Sequence, residues 1–335
     1  MIYLLYKPSK YQRRRYIPKI NMVNHNKKIC LLICSSVPGL QKDKLNDWLS
    51  QMPEIKIIAE IEPVFVFGKN SVEITPETWI KLASEINQRL DKFSGFVVIH
   101  GADNLLYTSS AISFLLQNLI KPIVFTGSQL VQQSSQDPKK FGIRANLINA
   151  IQVATFNLTE VCLMLGNRLL RANQSERIIE ESLNIFNAPA NSVLGRIDFS
   201  IRVFDKVVAQ NKGKVRFFNQ LDSNIEIINI MPTLDLKSLT KRIADKAGVI
   251  VNSGDYHRLP EDLIFLFEKI TRDIPVVIWS KSIKTEVLGP KNILIINNMT
   301  WEATVVKLMW ALTQARNVKK VKELMADNIA QEIIY

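Results

Sequence analysis

The chain lacks any long hydrophobic run and contains only three cysteines. Both features limit the kinds of protein it can be. In 335 residues, no apolar stretch approaches the roughly 18 residues of a membrane-spanning helix, so a soluble globular protein is expected. Residues 1–28 also lack the apolar core and cleavage site of a secretory signal. The three cysteines, Cys30, Cys34 and Cys162, are an odd number in apolar, strand-like segments. This usage favours a reducing, cytoplasmic location.

Acidic residues are absent from residues 1–28, which hold eight lysines and arginines. When these eight basic residues are left out, the net charge of +12 falls to +4 for the rest of the chain. No basic face with interleaved aromatic residues follows there. The charge is therefore only weak evidence for nucleic-acid binding, and a polyanion-binding role would depend on this tail alone. We predict that residues 1–27 are a basic disordered extension. Translation starting at Met22 and an organellar or receptor-read basic tag remain alternative explanations of it.

The most informative stretch runs from Gly95 to Gln129. Residues 96–99 and 122–125 are continuous apolar runs, typical of strands that are covered on both faces. Residues 107–119 between them have helical spacing, with Thr108 or Ser109 available as the N-cap. The pattern predicts a βαβ unit with two neighbouring parallel strands.

Polar residues follow both predicted strands of this unit. They are His100, Gly101, Ala102 and Asp103 after the first strand, and Thr126, Gly127, Ser128 and Gln129 after the second. Open parallel sheets bind ligands at the carboxyl ends of their strands, so the two groups are expected to face one crevice. His100 is interpreted as a hydrogen-bonded scaffold residue rather than a catalyst.

The stretch GFVVIHGADNLLYTSSAISFLLQNLIKPIVFTGSQ closely resembles the bacterial-type L-asparaginases, especially their cytoplasmic type I members. A weaker resemblance extends from Lys28 to Gln314 and includes ITPE at residues 74–77 and MTWEAT at residues 299–304. The resemblance implies an α/β fold: a larger N-terminal domain with an open, mainly parallel, flavodoxin-like sheet, and a smaller C-terminal α/β domain. We place these domains at residues 28–202 and 224–335, joined by a charged linker at residues 203–223.

The resemblance also shows which catalytic positions have changed. The family nucleophile is the second threonine of a Thr-Gly-Gly-Thr-Ile motif, and Val37 stands there. Ala102 replaces the second catalytic hydroxyl, and Arg177 replaces the catalytic lysine. A guanidinium stays protonated in proteins and cannot serve as a base. The family's lid is shortened as well, and its tyrosine is missing between Pro38 and Pro63.

Some binding positions are retained. Asp103 keeps the carboxylate that the family uses to hold the substrate's α-amino group. Asn70 and Ser71 align with the loop that binds the α-carboxylate, and Ser128 belongs to the second strand end. The resemblance implies a small amino acid, L-asparagine or L-aspartate, as ligand, no metal or cofactor, and a homodimer or homotetramer.

Two hypotheses about function follow from this combination. In the first, the chain is an amidohydrolase that converts L-asparagine to L-aspartate and ammonia, with Ser36 or Ser35 as a stand-in nucleophile. In the second, it is an amino-acid-binding or regulatory pseudoenzyme on the same fold. The replaced residues favour impaired or lost catalysis.

Overall fold

The structure, a computed structural model, is built on two sheets with helices packed against them. It describes residues 27–35, 42–127, 143–178, 185–198, 200–204, 213–283 and 293–335. The strands in these residues are β1 (Lys28–Ile33), β2 (Glu60–Phe65), β3 (Gly95–Ile99), β4 (Leu116–Gln117), β5 (Ile123–Thr126), β6 (Val161–Leu165), β7 (Arg168–Arg171), β8 (Glu176–Arg177), β9 (Phe186–Asn187), β10 (Val193–Ile197), β11 (Ile201–Val203), β12 (Arg216–Phe217), β13 (Ile225–Asn229), β14 (Gly248–Asn252), β15 (Val276–Trp279) and β16 (Leu294–Ile296). The helices are α1 (Leu45–Ser50), α2 (Pro53–Ile58), α3 (Pro76–Asn87), α4 (Leu105–Leu115), α5 (Ile143–Ala154), α6 (Leu236–Ile243), α7 (Glu261–Ile270), α8 (Trp301–Gln314) and α9 (Val318–Ala326).

The larger sheet has the strand order β11-β10-β7-β6-β5-β3-β1-β2. The five strands from β2 to β6 in this order are parallel, and β7, β10 and β11 extend the sheet in antiparallel fashion. Numbered along the chain, the five parallel strands lie in the order 2-1-3-4-5, which is the flavodoxin-like arrangement. Strands β3 and β5 are parallel neighbours, with Phe96 opposite Ile123. The predicted βαβ unit and the mainly parallel sheet are confirmed.

Strand β1 shows why the apolar runs are continuous. Alternate side chains enter opposite layers, because Cys30 and Leu32 pack with α3 and α4, whereas Leu31 and Ile33 pack with α1, α2 and α5. Successive side chains of a strand point to opposite faces of the sheet. A strand with helices on both faces must therefore be apolar at every position.

The smaller sheet is entirely parallel, in the order β13-β14-β15-β16. One face packs against α6 and α7. The other face packs against α8, whose residues join the core that contains α4. Trp310 of α8 stacks on Phe114 of α4 with ring centroids 6.2 Å apart. These contacts join the two α/β units and agree with the predicted smaller C-terminal unit.

The structure corrects the predicted start and end of helix α4. It begins at Leu105 after Asn104, whose left-handed backbone has φ of 56°, and Thr108 and Ser109 lie inside the helix. It ends at Leu115 because Leu116 and Gln117 leave the helix to form β4, which pairs with β12. Helix periodicity cannot reveal this pairing, since β12 lies about 100 residues further along the chain.

Strand β12 also falls within residues 203–223, so the segment predicted as a linker contains a short strand. The exact domain limits remain predictions. Apart from Lys27, the predicted basic extension lies outside the described residues. Among the residues that the structure describes, no helix has the length and apolar character needed to cross a membrane.

Candidate functional site

The carboxyl ends of β3 and β5 lie side by side, as the sequence predicts. The backbone N–H of His100 donates to the Thr126 carbonyl over 2.9 Å. A Cβ atom on Gly127 would lie 2.1 Å from the His100 carbonyl oxygen, so only glycine permits this approach. Asn146 of α5 supports the same edge, because its amide donates to the Gly127 carbonyl and accepts from the Gly166 N–H.

His100 is a neutral scaffold residue at the base of the crevice. It is buried, with Nδ1 2.6 Å from the Gly101 carbonyl oxygen and Nε2 2.9 Å from Thr108 Oγ1. A carbonyl oxygen can only accept, so Nδ1 carries the proton and Nε2 is an acceptor facing the Thr108 hydroxyl. The single proton of that hydroxyl can go either to Nε2 or to the Asn104 carbonyl, which lies 3.0 Å away. Burial lowers the pKa of His100 from 6.5 to about 4, because the charged imidazolium would lose its hydration.

Gly101 brings two serine hydroxyls together beside the strand end. A Cβ atom built on Gly101 would lie 2.3 Å from Ser71 Oγ and 3.2 Å from Ser35 Oγ. Both serines are buried. A larger residue at position 101 would displace Ser71, so this glycine is needed for the approach of the residue 70–73 loop to β3.

Asn104 holds that loop in place. Its side-chain amide donates to the Ser71 carbonyl over 3.1 Å, and its left-handed backbone starts helix α4. Asparagine tolerates this conformation better than most residues. Within the loop, Asn70 Oδ1 accepts from the Val72 N–H and caps the 3₁₀ turn at Ser71–Glu73. Asn70 thus acts as a cap, while Ser71 lies against Gly101.

Asp103 and Arg177 meet across the crevice. Arg177 is on β8, which pairs with β9, and its Nη1 lies 3.2 Å from Asp103 Oδ1. The side chain of Arg177 is 40% exposed and that of Asp103 is 51% exposed. The ion pair therefore contributes no more than about 1 kcal/mol to stability. Because the pair is open to solvent, a ligand can reach the Asp103 carboxylate.

The described residues unite several of the predicted site positions. Asp103, Ala102, Ser71 and Arg177 come from three separate segments and lie around one strand end. Ala102 is partly exposed and offers a methyl group where the family has a hydroxyl. Ser36, Val37 and Ser128 lie outside the described residues.

The thiol beside the site is not suited to chemistry. Cys34 is buried at the end of β1, and burial raises its pKa to about 12. The thiol form is therefore retained at neutral pH, and a thiolate nucleophile is not available. No cluster of three His, Cys, Asp or Glu side chains suited to a metal ion occurs in the part of the chain that the structure describes.

Two supporting residues, Asn104 and Asn146, are not evident from the sequence. Each connects backbone groups that are distant along the chain, and an asparagine at a helix start or inside a helix has no distinctive local pattern. The left-handed conformation of Asn104 gives the one local signal, since asparagine is enriched there.

Comparisons with known proteins agree with this architecture. A family model described as "Asparaginase, N-terminal" matches residues 35–209. The chain is 27% identical to L-asparaginase 1 of Escherichia coli over 299 residues, covering 84% of this chain and 86% of that protein. It is 28% identical over 283 residues to an L-asparaginase of Dirofilaria immitis, covering 79% of this chain but only 47% of that longer protein.

A similarity of fold extends across nearly the whole chain. The structure of the thermostable L-asparaginase from Thermococcus kodakarensis superposes with a TM-score of 0.78 at 23% identity, covering 92% of this chain and 99% of the other. The two-domain α/β fold predicted from the resemblance is thus confirmed. Since the family model covers more than half of the chain and spans Ser71, Asp103 and Arg177, this protein belongs to the asparaginase family.

Proposed function

We propose that the chain binds a small amino acid, L-asparagine or L-aspartate, at the carboxyl ends of β3 and β5, and that its hydrolysis of asparagine is severely impaired or lost. The ion pair between Arg177 and Asp103 carries this proposal. Asp103 supplies a carboxylate for the ligand's α-amino group, whereas Arg177 supplies a guanidinium where the family has a lysine. A guanidinium holds charge and cannot accept a proton from a nucleophile.

Ala102 supports the same conclusion. Amide hydrolysis in this family requires hydroxyl groups beside the acidic residue, and position 102 supplies a methyl group. Loss of a nucleophile lowers turnover by on the order of a millionfold in a hydrolase, and residues of one catalytic unit are not additive. Val37 at the nucleophile position would by itself produce such a loss.

The remaining contacts are suited to binding. Ser71 Oγ lies against Gly101, which is two residues before Asp103, so a buried hydroxyl and an exposed carboxylate lie near one strand end. A carboxylate pairs with an ammonium, and a hydroxyl donates to a carboxylate. We propose that the protein acts in the cytoplasm as a homodimer or homotetramer, as its resemblance to type I enzymes implies.

An active enzyme is the second candidate, with Ser35 or Ser36 as nucleophile. The buried Ser35 hydroxyl lies beside Gly101, which favours this reading. A neutral base would have to act on it, and His100 Nε2 lies against the Thr108 hydroxyl at 2.9 Å instead. The active enzyme would release ammonia from L-asparagine at a rate that falls in Ser35→Ala or Ser36→Ala.

Ammonia release from L-asparagine and L-glutamine, measured beside thermal unfolding with L-asparagine or L-aspartate, tests the proposal. We expect no turnover above background but a rise in the unfolding temperature that Asp103→Ala abolishes. Asp91→Ala, which removes an exposed carboxylate from the opposite edge of the sheet, is the matched control and should keep the rise. Turnover at ordinary asparaginase rates would refute the proposed loss of catalysis, and absence of stabilisation by either ligand would refute the binding function.

A further inference from the structure

A second polar cavity lies at the amino-terminal edge of the larger sheet, opposite the crevice. Its volume is about 190 Å³. The end of α4, the turn before β6, the end of β7 and residues 328–331 surround it. At the packing density of protein interiors, this volume holds roughly ten non-hydrogen atoms, about the size of a free amino acid.

Asparagine and glutamine are frequent among the residues that line this cavity. Five of them contribute: Gln117, Asn118, Asn173, Asn328 and Gln331. Each carboxamide has two N–H donors and one acceptor oxygen, and Gln117 and Asn173 each use one donor on a backbone carbonyl. The remaining groups can satisfy a ligand that carries both donors and acceptors. No aromatic side chain is among the lining residues that the structure describes, so base stacking does not contribute.

One ion pair supplies both signs of charge to the same wall. Arg171 donates from Nε and Nη2 to the two oxygens of Glu160, each over 2.8 Å, and both side chains are largely buried. Three of the five guanidinium N–H groups, including both on Nη1, are not engaged by Glu160 in this arrangement. The pair has no net charge, so the cavity does not favour a ligand of one sign.

The wall formed by the C-terminal residues is firmly attached. Asn173 donates to the Ala330 carbonyl over 2.7 Å, and Gln174 donates to the carbonyls of Gln331 and Ile333. Asn118 and Gln331 both have left-handed backbones, with φ of 56° and 59°. Gln331 is unusual in this conformation, and such backbone strain is retained where the surrounding structure enforces it, often at binding sites.

We propose that this cavity binds a small molecule of amino-acid size without net charge that carries both hydrogen-bond donors and acceptors: a zwitterion or a primary carboxamide. The carboxamides contact its neutral polar groups, and the Glu160–Arg171 pair contacts an ammonium and a carboxylate. Asp103, at the opposite end of the strands, takes no part in this binding.

Isothermal titration of the full chain carrying Asp103→Ala tests the proposal, because that change removes binding at the crevice. L-Glutamine is the probe, and succinate and putrescine are controls of similar size with net charge. We expect saturable binding of one L-glutamine per chain and clearly weaker binding of both controls. No saturable binding, or equal binding of a charged control, would overturn the proposal.

Two further variants locate the site. Asn328→Trp places a large ring at an exposed position of the wall and should weaken binding by about tenfold or more. The matched control, Asp327→Trp, alters the adjacent exposed residue outside the lining and should leave the affinity unchanged. Asn118→Gly removes one carboxamide at a left-handed position suited to glycine and should weaken binding about fivefold, whether or not Asn328→Trp folds. Unchanged affinity in Asn118→Gly or in folded Asn328→Trp would show that the glutamine binds elsewhere.

Discussion

Lys307 and Glu332 form an ion pair that is completely enclosed by protein, with both side chains 0% exposed. Lys307 Nζ also donates to the carbonyls of Met325 and Asp327. The Glu332 carboxylate accepts from the N–H groups of Ile329 and Ala330, over 3.1 and 2.7 Å. The pair therefore fastens the C-terminal residues to helix α8.

We predict that Glu332→Gln lowers the free energy of unfolding by about 3–5 kcal/mol, because it leaves the buried ammonium of Lys307 without an anion. Lys307→Met should have a cost of similar size, since it leaves the Glu332 carboxylate buried without a cation. The double variant should lose less than the sum of the two, because each single change already removes the shared interaction. The difference measures the coupling between the two side chains.

The pH dependence of Glu332→Gln provides a second observable. Burial already lowers the pKa of Lys307, against the opposing effect of Glu332, and loss of the carboxylate should lower this pKa further. Between this lowered pKa and pH 10.5, the ordinary pKa of lysine, the unfolded chain then binds more protons than the folded chain. Stability of this variant should therefore rise with pH towards that value.

Urea unfolding monitored by tryptophan fluorescence is a suitable assay, because the chain contains five tryptophans. Glu323→Gln is the matched control: its partner Lys320 is exposed, and the N–O distance is 3.0 Å. This exposed pair should contribute no more than about 1 kcal/mol. The reasoning would be refuted if Glu332→Gln lowered the free energy of unfolding by no more than Glu323→Gln does, with the slope of that free energy against urea concentration unchanged.

Three further predictions concern the sheet and its strand ends. The wild-type chain should lose about 3 kcal/mol of stability between pH 6.5 and pH 4, because the unfolded chain protonates His100 before the folded chain does. Unfolding of His100→Gln across this range should lack that component, and identical pH profiles would contradict it. Gly101→Ala should reduce stability by about 1–3 kcal/mol through its contact with Ser71, measured by urea unfolding; an unchanged midpoint would be inconsistent with the close approach. The buried thiols of Cys30, Cys34 and Cys162 should react with a thiol reagent only at the rate of unfolding, and rapid labelling of the folded chain would disprove this.

The two strands of the βαβ unit could be read from the sequence with little error. The run at residues 96–99 is apolar at every position, and it became the buried strand β3 between neighbours on both sides. Such a run requires helices on both faces of a parallel sheet. The meeting of His100 and Gly127 at one edge follows from the direction of parallel strands alone.

The ends of helix α4 could not be read in this way. The apolar spacing continues to Leu119, but the chain leaves the helix at Leu116 to pair with Phe217. Backbone hydrogen bonds to a distant segment replaced those of one more helical turn. Local spacing contains no information about a partner so far along the chain.

For the candidate site, the sequence determined which chemical groups are present and which are missing. A methyl group at Ala102, a permanently charged guanidinium at Arg177 and a carboxylate at Asp103 are properties of the residues themselves. They can be judged as soon as the family alignment assigns their positions.

Only the tertiary structure decided how these groups meet. The contact between Asp103 and Arg177 joins residues 74 positions apart, and Asn104 holds Ser71 from 33 positions away. The same holds for the cavity at the amino-terminal edge of the larger sheet, where Asn173 donates to Ala330 across 157 positions. The physical reason is that residue type sets what a side chain can donate, accept or charge, whereas its partner is set by the packing of whole strands and helices.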